Sequence, residues 1–178
     1  GKMGFALAEA CAERGAEVTL VAGPVSLKTH HPAIKRIDVE SAGEMYQAAM
    51  TAFPSSDAAI LCAAVADYRP ENASEQKIKR ETEGEMTLHL VPNPDIAASL
   101  GAIKREGQVM VGFALETNDE ATHAEGKLKR KNLDFIVLNS LRDQGAGFRC
   151  DTNKITIIDN AGGVTSYPLK TKREVASD

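Results

Sequence analysis

Four short apolar runs alternate along the chain with segments whose apolar residues recur at helical spacing. The runs are 16–22 (AEVTLVA), 57–65 (DAAILCAAV), 109–113 (VMVGF) and 133–138 (LDFIVL). Each is rich in Val, Ile, Leu or Ala, the pattern of a buried strand. Residues 2–14 place Met3, Leu7, Ala10 and Cys11 on one helical face, with Gly15 as the residue that ends the helix. Ser41 followed by Glu44 reads as a capping box opening a helix that runs to about Phe53, just before Pro54. Asn93 and Pro94 read as the N-cap and first residue of another helix. Thr117 and Glu120 form a further capping box, for a helix reaching about Lys131.

Shorter signals fill the gaps. Ile37–Val39 and Thr87–Leu90 are expected to be short strands, and residues 24–36 and 66–85 polar loops. Ile155–Asp159 and Val164–Tyr167 flank Asn160-Ala161-Gly162-Gly163, a hairpin signal. The tail TKREVASD stops where a last helix would begin. Strands alternating with helices imply an α/β fold: a Rossmann-like, doubly wound and mostly parallel sheet with a C-terminal antiparallel hairpin.

At 178 residues the chain has the length of one domain. Such a length buries about two thirds of the surface its unfolded form exposes. Tryptophan is absent and aromatics make up 4%, so the core has to be aliphatic. The net charge of −4 gives no bulk attraction to nucleic acid or to an anionic membrane. No apolar run approaches the ~20 residues of a membrane span, and no signal peptide opens the chain. Cys11, Cys62 and Cys150 are odd in number and widely spaced, which fits reduced thiols in the cytoplasm.

Ligands of such sheets bind beyond the carboxyl ends of the strands. Those positions hold Gly23-Pro24, the stretch Val65 to Arg69 including Asp67, Ala114 to Thr117, and Asn139-Ser140. Gly1 and Gly4 at the first helix fit either a phosphate at a helix N-terminus or a tight helix–strand contact. Gly23-Pro24 stands where a dinucleotide enzyme carries its ribose-binding acid, which argues against an NAD(P)-dependent oxidoreductase. No tyrosine is followed by lysine four places on, so a short-chain dehydrogenase lacks its proton donor.

Two basic clusters break the acidic background. Lys77-Ile78-Lys79-Arg80 lies in the polar loop after the second strand, and is either a solvated loop or a lid over phosphates. Lys127, Lys129, Arg130 and Lys131 gather at a helix end, where they serve as dipole partners or phosphate ligands. Asp67 is suited to ribose hydroxyls or Mg2+, or to a turn beside Arg69. Cys62 sits inside an apolar run and reads as core rather than nucleophile. His30, His31, His89 and His123 lack metal spacing, and HExxH, GxSxG and Walker motifs are absent. A polyphosphate ligand handled without a protein nucleophile fits this inventory. A non-catalytic nucleotide-binding module fits it too.

Six segments in order add a resemblance: GKMGFALAEACAERGAEVTLVAGPVSL, CAAVADYRP, KIKR, NPDI, GFALET and KLKRKNLDFIVLN. Together they resemble the phosphopantothenate–cysteine ligase domain, usually the C-terminal half of a bacterial bifunctional coenzyme A biosynthesis flavoprotein. The resemblance covers almost the whole chain. It implies a Rossmann-like, dimeric ligase that uses CTP and Mg2+ to activate 4′-phosphopantothenate as an acyl-cytidylate. L-Cysteine then attacks, giving 4′-phosphopantothenoylcysteine and CMP.

By that resemblance Leu61, Cys62, Ala63 and Asp67 form the CTP-binding strand end. Lys77 is the first lysine of a KxKK motif needed for turnover, with Arg80 in its fourth place. Pro94, Asp95, Ile96 and Ala97 form a nucleotide-contacting helix start, Phe113 lies by the base, and Lys127 and Lys131 belong to the CTP site. The family's upstream strand with its glycine-rich turn and functional asparagine is not in this sequence. Residues 1–178 are therefore read as one nucleotide-binding ligase domain truncated at both ends, with a flavin-dependent decarboxylase half as an expected fusion partner.

Overall fold

The computed structural model describes residues 1–74, 76–78, 86–116, 120–140 and 151–178. A five-stranded sheet forms its centre. It is built from β3 (Ala58–Leu61), β6 (Val109–Glu116), β7 (Phe135–Ser140), β9 (Ile155–Asp159) and β10 (Val164–Ser166), in the order β10-β9-β7-β6-β3. β3, β6 and β7 run parallel, whereas β9 joins β7 antiparallel and turns back into β10. β1 (Val18–Ala22) and β2 (Ile34–Asp38) form a separate parallel pair. Two small antiparallel ribbons complete the strands: β4 (Tyr68–Pro70) with β5 (Leu90–Pro92), and β8 (Thr152–Asn153) with β11 (Lys170–Thr171). The expected α/β architecture with a C-terminal hairpin is the one observed, its central sheet being mixed, with two parallel and two antiparallel pairings.

Alternation along the strands builds two cores. Met110, Ile136, Leu138 and Ile158 face one way and pack with α2 (Ala42–Ala52), α3 (Ile96–Ile103) and α4 (Glu120–Arg130). Val137, Ile155 and the half-buried Val111 and Phe113 face the other way, toward α1 (Lys2–Glu13) and α5 (Lys172–Ser177). Helices thus cover both faces, and this is why the central strands read as continuous apolar runs. Met110 and Leu100 are at most 2% exposed, so the aliphatic core expected from the composition is in place.

Several boundaries differ from those read in the sequence. β2 begins at Ile34 rather than Ile37, because its register with β1 starts at Val18. β3 stops at Leu61, the last residue paired with β6, and the chain leaves the sheet through 62–67. β4 falls in a stretch read as loop, and β5 lies at Leu90–Pro92 instead of Thr87–Leu90. Both carry a proline, which only an edge ribbon tolerates. Ser41 caps α2 by accepting from the Glu44 N–H, but the Glu44 carboxylate accepts from Glu40 N–H rather than closing the box. At α5 the box is complete, between Thr171 and Glu174, so the last helix lies within the tail. Gly15 ends α1 with φ +91°, as its position required. Thr117, read as the cap of α4, lies outside the described residues.

Candidate functional site

The carboxyl ends of β3, β6 and β7 meet along one side of the sheet. Leu61 is in register with Gly112, and Phe113 with Val137. Leu61 packs toward the α2–α3–α4 face, while Cys62 and Phe113 both pack toward α1. These side chains are committed to the cores, so Leu61, Cys62 and Ala63 offer a ligand mainly their backbone.

Beyond Cys62 the chain crosses to the start of α3. The Asn93 N–H donates to the Asp67 carbonyl at 2.8 Å, and Asn93 Nδ2 donates to the Ala66 carbonyl at 2.9 Å. Arg69 Nη1 donates to the Pro92 carbonyl at 2.7 Å and to Asn93 Oδ1 at 3.2 Å. Asn93 is therefore a clamp rather than the helix cap that the sequence suggested. The cap is Asp95, whose Oδ1 accepts from the Ala98 N–H at 3.0 Å. The clamp ties the Asp67 stretch to Asn93, immediately before Pro94, Asp95, Ile96 and Ala97. Ile96 spends its side chain on the core.

Asp95 then reaches the second basic cluster, with Lys131 Nζ 3.0 Å from its Oδ2. Burial raises the Asp95 carboxyl, but hydrogen bonds from Ala98 and Lys131 outweigh it and hold the group below its ordinary value. Lys127 lies one turn before Lys131 on the same helix, whose N–H to carbonyl bond links the two. Three of the pieces singled out in the sequence thus come together: the strand end with Asp67, the start of α3, and the end of α4.

Lys77 is exposed and makes no hydrogen bond or ion pair among the described residues. Lys79 and Arg80 of the same motif lie outside those residues. The Asp67 side chain is exposed and has no hydrogen bond among the described residues. Burial pushes the Cys62 thiol up to about 11, and the positive charge of Lys172 offsets this only in part. It is protonated at neutral pH and is no nucleophile.

Asn139 stands at the carboxyl end of β7, a position that sequence reasoning noted without giving it a role. It is 8% exposed at the end of β7, and its Oδ1 is buried without a hydrogen-bond partner among the described residues. A buried polar atom of this kind calls for a ligand or water. The signal was one amide closing an apolar strand.

The start of α1 has no side-chain cap and no acid in its first turn. Among the described residues a Cβ at Gly1 or Gly4 would meet nothing within 4 Å. Among the described residues no three His, Cys, Asp or Glu gather as a metal cluster. One carboxylate with phosphate oxygens suffices for Mg2+, and Asp67 fits that donor set. Among the described residues no helix is long and apolar enough to cross a membrane.

Residues 1–178 match the family model of the DNA/pantothenate metabolism flavoprotein C-terminal domain. The coenzyme A biosynthesis bifunctional protein CoaBC of Escherichia coli K12 is 48% identical over 174 residues, covering 97% of this chain and 42% of that protein. A cysteine/cysteine sulfinic acid decarboxylase from an unknown prokaryotic organism is 58% identical over 178 residues, covering all of this chain and 49% of the relative. The chain thus spans about half the length of the curated relatives it matches. The crystal structure of the CoaBC C-terminal domain superposes with TM-score 0.80 at 39% identity, covering 99% of this chain and 79% of the other. A Cab2 H337A mutant in complex with phosphopantothenate-cysteine shares the fold, with TM-score 0.72 at 15% identity over 98% of this chain and 74% of its own. On its sequence and its fold, this chain belongs to the family of DNA/pantothenate metabolism flavoprotein C-terminal domains.

Proposed function

We propose that this domain is a CTP-dependent phosphopantothenate–cysteine ligase acting in coenzyme A biosynthesis in the cytoplasm. The observation that carries this reading is the joining of Asp67, the start of α3 and Lys131 into one site, in a chain matched end to end by that family. The first step is attack of the 4′-phosphopantothenate carboxylate on the α-phosphorus of CTP. Pyrophosphate leaves and an acyl-cytidylate forms. The amine of L-cysteine then attacks the acyl carbon, and CMP leaves with the bonding electron pair.

In-line displacement of this kind asks for positioning and charge stabilisation rather than a nucleophile. Lys127 and Lys131 neutralise the polyphosphate, and Lys77 follows charge developing on the transferred group. Leu61, Cys62 and Ala63 present strand-end backbone to the nucleotide, with Asp67 near its sugar. Phe113 lies by the base, with the unpaired amide oxygen of Asn139 at the neighbouring strand end available to a donor on it. Mg2+, where bound, would withdraw charge from phosphate oxygens, and Asp67 would be its carboxylate in place of the sugar contact.

A second copy of the chain is the expected partner. Tyr68, Leu88 and Leu90 on and beside the β4–β5 ribbon are 61%, 59% and 51% exposed, more apolar surface than an isolated ribbon leaves in water. The longer relatives and the decarboxylase name among them support fusion to a decarboxylase half.

The test is thermal stability with Mg2+ and, separately, CTP, ATP or NADPH. A ligand at about 100 times its dissociation constant stabilises by ~2.7 kcal/mol. A shift with CTP alone is expected. A shift with NADPH alone overturns the reading in favour of an oxidoreductase. CTP binding without pyrophosphate release in the full-length protein leaves a binding module.

A further inference from the structure

Lys127, Lys129, Arg130 and Lys131 crowd four cations into the end of α4 and the residue after it. Like charges at this spacing repel, and a lysine loses rotamer freedom whenever a ligand holds it. The structure answers both problems at Lys131. Its ammonium is 3.0 Å from Asp95 Oδ2, while Oδ1 of the same carboxylate caps α3 through the Ala98 N–H at 3.0 Å.

The backbone fixes the geometry of this pair. A Cβ at Gly101 would overlap the Lys131 carbonyl oxygen, so α3 and residue 131 touch main chain to main chain. Asn132, at φ +52°, donates from Nδ2 to the Gly101 carbonyl at 3.0 Å. Lys104 Nζ donates to the Asn132 carbonyl at 3.1 Å. Asp95 is thus presented to Lys131 by a helix that cannot slide. The carboxylate itself would repel a phosphate, so it is not a ligand for one. An ammonium has three donors, and Asp95 occupies one of them.

We propose that Asp95 is a positioning residue that holds Lys131 in place for the polyphosphate of the nucleotide. This rests on the reading of the α4 end as part of the nucleotide site, and it deepens that reading by separating the group that binds from the group that aims it.

The test is a double-mutant cycle on CTP–Mg2+ affinity, read by calorimetry. Asp95→Asn still accepts from the Ala98 N–H, so α3 keeps its cap while Lys131 loses its anion. Affinity is expected to fall about three- to fivefold, the range of a partly exposed ion pair. The loss should shrink at high salt. Lys131→Ala should weaken binding further, and adding Asp95→Asn to it should change nothing more. If Lys131→Ala weakens binding and Asp95→Asn leaves it unchanged or tighter, positioning is overturned and the site stands. Additive losses overturn positioning too. If Lys131→Ala has no effect, the nucleotide reading of this helix end falls, and the proposal with it.

Discussion

Lys104 donates to Asp134 across 2.7 Å, and the same carboxylate oxygen accepts the Met110 N–H at 2.7 Å. One side chain thus ties the end of α3 to the first turn of the chain into β7 and to the start of β6. The ammonium and carboxylate side chains are 11% and 22% exposed, so the pair is shielded from water on most sides. Asp134→Ala leaves Met110 N–H and the ammonium without this acceptor. A loss of about 2–4 kcal/mol is expected in urea unfolding, because breaking an enclosed pair costs more than the pair is worth. A loss below ~0.5 kcal/mol would show that water replaces the carboxylate freely.

The same pair fixes a pH dependence. Burial raises the Asp134 carboxyl, but hydrogen bonds from Lys104 and Met110 outweigh it and bring it below its ordinary value of 3.8. A carboxyl lowered in the folded state stabilises above its unfolded pKa, and that contribution disappears as pH falls through the lowered value. Urea midpoints should therefore fall as pH drops below about 4, and fall less steeply in Asp134→Asn. Parallel curves for the two proteins would assign the acid sensitivity elsewhere.

Lys172 is 9% exposed at the first turn of α5, and its ammonium donates to Asn153 Oδ1 at 2.8 Å and to the Thr152 carbonyl at 3.2 Å. Asn153 in turn donates to Met3 Sδ at 3.5 Å, so the network links α5, β8 and the start of α1. Lys172→Met keeps the bulk and strands the asparagine oxygen. A destabilisation of about 1–3 kcal/mol is expected, measured by thermal or urea unfolding.

The Cys62 thiol, raised to about 11 by burial, should resist alkylation. At pH 7.5 roughly one thiol in three thousand is a thiolate. Iodoacetamide with mass-spectrometric mapping should label Cys11 well before Cys62, and Cys62 should gain reactivity only as pH approaches 11. Rapid labelling of Cys62 at neutral pH would reopen a nucleophilic role.

Lys77→Gln removes a cation that supports no packing among the described residues. Melting temperature is expected to stay within about 1 °C, as for a surface substitution. Product formation in the full-length protein is expected to vanish. Near-normal turnover would remove Lys77 from the reaction.

The strands buried on both faces were legible because their runs are apolar nearly throughout: 109–113 and 133–138, broken only by Asp134, lie within or beside β6 and β7. The β4–β5 ribbon was not, since Pro70 and Pro92 argue against strands and no sheet covers either face. The site was legible by residue type, as two basic clusters and a strand-end acid. Its assembly was not. Asn93 looked like a cap because Asn before Pro is a common helix start, yet its amide serves the Ala66 carbonyl 27 residues away. Sequence spacing carries no information on such a long-range bond. Asn139 was noted only as a strand-end position for a related reason, since a single amide after an apolar run becomes notable only once its oxygen is seen to lack a partner among the described residues.

The β4–β5 ribbon has one more consequence, for how the domain tolerates change in length. Tyr68 faces Pro92 and Pro70 faces Leu90, so the chain that departs at residue 70 returns to its own starting point at residue 90. The ribbon holds the two ends of that segment together by its own hydrogen bonds. Doubling the length of a flexible loop adds only about 0.6 kcal/mol to its closure. Insertions between Glu71 and His89 are thus cheap for the fold. On the role proposed for Lys77, such insertions would change how often it meets the nucleotide while leaving the Asp95–Lys131 pair in place.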